Sequence, residues 1–280
     1  MIELGKYQTL EIRRIVDFGA YLSVPGEDTE VLIPGRYLPE NMQVGDSLEV
    51  FVYKDSEDRP IATTERPYAT VGEFAFLSVN AVNDTGAFLD WGLPKDLLVP
   101  YGEQRMRMRR GGIYLVYIYV DKATGRIVAT TKTDKYLGNV FPDYKLGDRV
   151  QALVVEHTDI GYKVIVDNLH KGMIYSNELY RAIEIEEMVT AYVKQVRDDG
   201  KIDLTVNEKA VVRQSDVAER IMNHLSKENA APISEKMSPD IIDMAFHCSK
   251  KDFKKAIGHL YKERMVVIAP DGTVSLPPKQ

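Results

Sequence analysis

A nine-residue phrase written three times constrains this chain more than any other feature. VDFGAYLSV at residues 16–24 returns as NDTGAFLDW at 83–91 and, more faintly, as TDIGYKVIV at 158–166. Gly19 and Gly86 lie 67 positions apart, as do Thr63-Thr64 and Thr130-Thr131, and Gly161 follows Gly86 by 75. Repetition at a near-fixed period means that one supersecondary unit has been copied, so the fold of the unit comes first.

Each copy reads as five short strands. Copy one offers TLEIRRIV, AYLSV, EVLIP, SLEVFVY and PIATT; copy two offers FAFLSVNAV, AFLDW, DLLVP, IYLVYIYV and RIVATT. Copy three offers RVQALVVE, YKVIVD, KGMIY, MVTAYVKQV and KIDLTV. Turn pairs such as Pro25-Gly26, Gly45-Asp46, Thr124-Gly125, Gly147-Asp148 and Asp199-Gly200 punctuate them. Five strands per copy suit a small closed barrel.

After Asn207 the pattern turns helical. Ser215 is placed to cap a helix carrying Val217, Ile221 and Leu225 at four-residue spacing. Ser238-Pro239 is a cap with proline at the first helical position, and Ser249-Lys-Lys-Asp252 is a capping box. The helix after Ser249 lines up Phe253, Ile257, Leu260 and Tyr261 on one face. MVVIAPDGTVSL then reads as a hairpin turning at Pro270-Asp271-Gly272. Three helices closed by a hairpin is the order of a winged helix. The expected domains are therefore barrels over 1–66, 67–138 and 139–208 and a winged helix over 209–280, a mainly β chain with a small α/β end.

Composition narrows the class. With 44% hydrophobic and 28% charged residues the chain is of ordinary globular type. Its longest apolar run, IYLVYIYV, has the length of a buried strand and falls far short of a membrane span. The segment MIELGKYQTL lacks a positive stretch followed by an apolar one, so export is not expected. The single cysteine, Cys248, rules out an internal disulfide and fits a reducing cytoplasm. Basic against acidic residues number 7 to 13, 9 to 7, 8 to 13 and 12 to 9 across the four expected domains. A chain gripping nucleic acid by charge alone would not alternate in this way, so any such binding is local.

The three β copies resemble S1 domains, the OB-fold barrels of ribosomal protein S1 and many RNA-processing enzymes. The residues that carry this are DFGAYL (17–22), EVLIP (30–34) and GDSLEVFV (45–52), then DTGAFL (84–89) with DLLVP (96–100), then KGMIYSNEL (171–179). SKKDFKKAIGHLYKERMV (249–266) is similar to the terminal winged helix of the conserved virulence factor B (CvfB) family, bacterial proteins with tandem S1 domains before a winged helix. This resemblance implies single-stranded RNA binding with a regulatory role in RNA metabolism or gene expression.

Barrels of this kind hold single strands by stacking bases on exposed aromatics beside basic side chains. Strand alternation turns Ala20, Leu22, Val24, Ala87, Leu89 and Trp91 inward and Tyr21, Ser23, Phe88 and Asp90 outward. Tyr21 and Phe88 are then either base platforms or packing for the next barrel. The S1 pattern adds an aromatic before the glycine and a histidine on the third strand. Phe18 meets the first in copy one, where copies two and three have Thr85 and Ile160. Pro34, Pro100 and Tyr175 stand at the histidine position, and Lys163 replaces the outward aromatic in copy three. Copy three is therefore expected to be a structural spacer.

Two basic runs complete the candidate set. If RMRMRR (105–110) is extended, Arg105, Arg107 and Arg109 share a face suited to phosphates; otherwise it is a solvated loop. The last helix carries Lys250, Lys251, Lys254 and Lys255, and lysines suit phosphates rather than base edges, so duplex DNA reading is not expected. With Arg13, Phe18, Tyr21 and Phe88 these form the expected RNA-binding residues. A protein partner, with the barrels as a scaffold, is the alternative. The five histidines accompany no nucleophile signature and His247-Cys248 has no further ligand at zinc spacing, so it reads as a helix-core pair. No catalysis, cofactor, metal or membrane association is expected.

Overall fold

The computed structural model describes residues 1–179, 181–227 and 230–278 and divides into two compact units, Met1–Leu137 and Gly138–Gln280. Unit one holds two closed five-stranded barrels. The first is built from β1 (Tyr7–Val16), β2 (Gly19–Ser23), β3 (Glu30–Pro34), β4 (Ser47–Lys54) and β5 (Pro60–Thr63). Its strand order is β1-β2-β3-β5-β4, with β4 returning to β1 and β3 parallel to β5. The second repeats this with β6 (Phe74–Val82), β7 (Gly86–Leu89), β8 (Leu97–Pro100), β9 (Ile113–Val120) and β10 (Ile127–Thr130).

Unit two opens with the third barrel, of β11 (Arg149–Thr158), β12 (Gly161–Val166), β13 (His170–Tyr175), β14 (Met188–Val196) and β15 (Ile202–Thr205). The winged helix follows as α1 (Glu208–Leu225), β16 (Ile233–Ser234), α2 (Pro239–Phe246), α3 (Lys250–Lys262), β17 (Val267–Ile268) and β18 (Thr273–Ser275). The hairpin read from the sequence gains a third strand, since β16 pairs with β18. Ser238 and Ser249 cap α2 and α3, accepting from the Ile241 and Asp252 amides, while the Asp252 carboxylate takes the Ser249 hydroxyl rather than its amide, so the box at α3 is half-made. Ser215 does not cap α1. That helix begins at Glu208, because the strong formers in EKAVVRQ extend it upstream; the Ser215 side chain lies outside the described residues.

The recurring glycine is explained by a close approach. Gly19, Gly86 and Gly161 sit opposite Pro34, Pro100 and Tyr175 on the next strand. A Cβ at these positions would lie 2.0, 2.2 and 2.2 Å from the carbonyl oxygens of Ile33, Val99 and Ile174. The strand's backbone presses there against a neighbour with no room for a methyl group. The first strand of each barrel also carries a bulge, at Ile12/Arg14, Val79/Ala81 and Val154/Glu156. A bulge at the same place in all three strengthens the local twist that closes the barrel.

Within unit one the barrels share a core. In β4 four consecutive residues are buried, where one-faced burial would alternate. Val50 and Val52 fill barrel one, while Phe51 and Tyr53 on the opposite face pack among Leu77, Leu97 and Trp91 of barrel two. The Phe51 and Trp91 rings meet edge-on at 5.8 Å. Trp91, expected inside its own barrel, is thus the anchor of the seam. Ser23, expected outside, is fully buried, and its hydroxyl has no hydrogen-bond partner.

In unit two the segment before β11 is fastened to the third barrel. The Gly138 amide donates to Leu169 O (2.9 Å), Tyr144 donates its hydroxyl to Asp167 (2.8 Å), and its ring lies edge-on to His170 at 5.6 Å. His170 is 5% exposed and its Nδ1 has no hydrogen-bond partner. Burial lowers its pKa, partly offset by the Asp167 carboxylate. The unfolded chain binds a proton near the ordinary histidine pKa and the folded chain binds it only at lower pH. Stability therefore falls as pH drops through about 6.5 and stops falling below the folded value. A lower melting temperature at pH ~5.5 than at ~7.5 is expected, and His170→Phe should remove part of that difference; an unchanged difference would show that His170 does not contribute.

Candidate nucleic-acid interface

The candidate residues of barrel one are partly occupied by their own neighbours. The bulge at Arg13 puts Arg14 opposite Tyr21, and the Arg14 guanidinium covers the ring at 3.6 Å from its centroid. Glu30 holds that guanidinium through two hydrogen bonds, of 3.2 and 2.9 Å. Arg13 is exposed and reaches Glu11 at 3.3 Å. Phe18, at the tip before Gly19, is 61% exposed.

In barrel two Phe88 is half-buried and lines a cavity of about 250 Å3 between the two barrels, with Tyr53, Trp91, Lys95 and Arg126. Asp58 of barrel one binds both Arg126 and Lys95, the latter at 3.6 Å, so charge clasps the mouth of this cavity. RMRMRR is a bent loop rather than a strand, because Met108 turns into the barrel core. Arg105 pairs with Asp134, Arg107 lies over the Tyr101 ring at 3.9 Å, and Arg109 is exposed; the three arginines form no single row. A Tyr21→Ala/Phe88→Ala double variant is expected to change nucleic-acid affinity by less than about twofold, since a base stacked on either would have to displace existing packing. A loss of tenfold or more, read by fluorescence anisotropy, would put the stacking platforms there.

The winged helix brings its basic helix to the third barrel. Lys251, Lys254 and Lys255 are exposed and Lys250 is half-buried. Lys255, Gly258, His259 and Lys262 of α3 face Tyr175, Lys194, Gln195 and Asp203 of the barrel across a recess of about 310 Å3. Lys262 Nζ donates to Gln195 Oε1 at 3.0 Å. Asp203, 7% exposed, accepts from Gln195 Nε2 (2.6 Å), Arg197 Nε (2.9 Å) and the Tyr175 hydroxyl (3.3 Å), and Arg197 also donates to that hydroxyl. The Asp203 charge is thereby matched by Arg197, leaving lysines to set the potential of the recess.

Gln195, His259 and Lys262 are shared with a larger cleft of about 1130 Å3. It is lined by Phe141 and Tyr261, 65% and 53% exposed, together with Tyr144, Arg197 and Arg264. Asp143, Asp198 and Glu263 also line it, so its charge is mixed where the smaller recess is basic. Burial holds the pKa of His259 below its ordinary value, and the Glu263 carboxylate opposes that shift. Sequence reasoning did not find this site. The signals were present in Lys194 on β14, in Arg197 just beyond its end and in Gly258 inside a helix, but nothing local says that they meet. His247 is exposed in a left-handed cap after α2 and so is not in a helix core, whereas Cys248 beyond it is half-buried and packs against the winged-helix core. Among the described residues no three His, Cys, Asp or Glu are grouped as metal ligands, and no helix is long and apolar enough to cross a membrane.

A family model described as S1 domain matches residues 4–65 and again 71–132, and one described as CvfB-like winged helix domain matches 219–274. The uncharacterized protein YitL of Bacillus subtilis strain 168 is 31% identical over 273 residues, 94% of this chain and 90% of its own length. Conserved virulence factor B of Staphylococcus saprophyticus is 26% identical over 249 residues, 86% of this chain and 83% of its own. The chain belongs to the conserved virulence factor B family. A crystal structure described as a multidomain protein with nucleic acid binding domains, from Streptococcus pneumoniae TIGR4, aligns with 98% of each chain at 22% identity and a TM-score of 0.40. The S1 and winged-helix modules of this CvfB-family chain are binding modules rather than enzymes, and they support a nucleic-acid-binding role.

Proposed function

We propose that the chain binds single-stranded RNA without acting on it chemically, and that the main grip lies between the third barrel and α3. The observation that carries this reading is the coincidence, on one cleft, of exposed aromatic rings and basic side chains. Phe141 and Tyr261 are large, exposed and unsuited to open solvent, while Lys262, Arg197 and Arg264 line the same cleft and Lys255 lines the recess adjoining it. Rings that stack any base, next to cations that hold phosphates, favour an unpaired strand. Phe18, Arg105, Arg107, Arg109, Lys250, Lys251 and Lys254 then supply outlying contacts along the chain, and modulation of RNA metabolism or gene expression in the cytoplasm is the corresponding role.

Phe141→Ala/Tyr261→Ala tests this directly. Losing two stacked bases should weaken binding by about 30-fold or more, with the salt dependence retained. Undiminished affinity would remove the cleft from the account.

The second reading, a protein-interaction scaffold, draws on the acidic first barrel and on Pro34 and Pro100 where the S1 pattern has histidine. Duplex DNA is disfavoured because a recognition helix must enter a major groove, and Lys255, Gly258 and Lys262 of α3 are turned to the barrel instead.

A further inference from the structure

Gly258 is the anomaly of α3. It stands in the interior of a 13-residue helix, where glycine is the poorest former after proline. The usual reasons for a glycine are absent. Its φ is not positive, and a Cβ built on it would meet nothing within 4 Å. Gly19, Gly86 and Gly161, by contrast, would each drive a Cβ into a carbonyl oxygen. Neither backbone conformation nor packing of the protein itself asks for glycine at 258, and alanine would make the better helix.

What Gly258 does face is the recess of about 310 Å3 against the third barrel. That volume is at the lower end of small-ligand sites, about 300–1,000 Å3. Tyr175 and His259 present rings to it, and Lys255 and Lys262 present cations. Asp203 also lines it, with its oxygens already engaged by Gln195, Arg197 and Tyr175. A side chain at 258 would occupy the space between helix and barrel.

We infer that the missing side chain is an aperture: one nucleobase of the bound strand enters beneath Gly258, against the Tyr175 and His259 rings, with its flanking phosphates on Lys255 and Lys262. This rests on the RNA reading of the cleft and assigns to Gly258 a specificity-determining place in the recess that shares Gln195, His259 and Lys262 with it. The recess admits a base only when it is unstacked from its neighbours, which selects an unpaired strand.

The test uses the full chain and a labelled single-stranded RNA of mixed sequence, with melting and anisotropy measured on the same preparations. Gly258→Ala and Gly258→Leu should melt at or above the wild-type temperature, because both are better helix formers entering open space. Gly258→Leu should bind about tenfold more weakly, the loss of one stacked base, with an unchanged salt slope since phosphate contacts remain. Gly258→Ala should lose about threefold, and decides the matter if the leucine variant does not fold. Wild-type binding with undiminished affinity in the folded variants overturns the aperture alone. A wild-type chain that does not bind the RNA overturns the reading of the cleft and the aperture with it.

Discussion

Gly86→Ala is expected to destabilise the first unit by about 3 kcal/mol or more, although it adds a single methyl group. The new Cβ would stand 2.2 Å from Val99 O and 3.0 Å from the Pro100 Cα, and both are backbone atoms. No rotamer change relieves such a contact. Relief requires β7 to move away from β8, which breaks the pairing from Gly86–Pro100 through Leu89–Leu97. Barrel two shares its core with Phe51 and Tyr53 of barrel one, so the loss is felt by both. A fall in melting temperature of roughly 10 °C should be seen. Gly102→Ala is the control, since a Cβ there meets nothing within 4 Å. If Gly86→Ala melts like Gly102→Ala, the close-approach explanation of the repeated phrase fails.

The second large effect is electrostatic. Lys255→Glu/Lys262→Glu should abolish measurable RNA binding at moderate salt, because it places two anions where the account puts phosphates. The neutral pair Lys255→Gln/Lys262→Gln is the more informative variant. Removing two phosphate contacts should reduce the slope of log affinity against log salt by about 1.4, at about 0.7 per contact for single strands. Lys262 already gives one hydrogen bond to Gln195, but an ammonium has three donors and keeps its charge. Lys251→Gln/Lys254→Gln should lower the slope less, as neither lines the recess. Equal slopes for both pairs would spread the contact over the whole helix instead.

The barrels were legible in the sequence because alternation and turn residues are local. The caps of α2 and α3 were legible for the same reason, since Ser238 and Ser249 each satisfy an amide three residues on. What alternation cannot show is the destination of an outward face. Phe51 and Tyr53 point away from their own barrel, yet they are buried by the next one. Tyr21 was read as outward and is so, but its face is taken by Arg14, brought opposite by a bulge invisible in composition. Arg105, Arg107 and Arg109 would share a face only in a strand, and burial of Met108 bends the loop instead. The third barrel, read as a spacer from Lys163 and its acidity, places Tyr175, Gln195 and Arg197 opposite α3. Docking of one module on another depends on residues far apart in the chain, and no local pattern records it.

The proposed grip holds an unpaired RNA strand between the third barrel and α3. Anisotropy titration of the full chain with single-stranded RNA and with duplex DNA, from about 50 to 200 mM salt, tests it most directly. Tighter binding of the RNA at every salt concentration, a log-linear loss with salt, and weakening by Phe141→Ala/Tyr261→Ala are expected. No RNA binding at the lowest salt, or duplex DNA held more tightly than RNA, would contradict it.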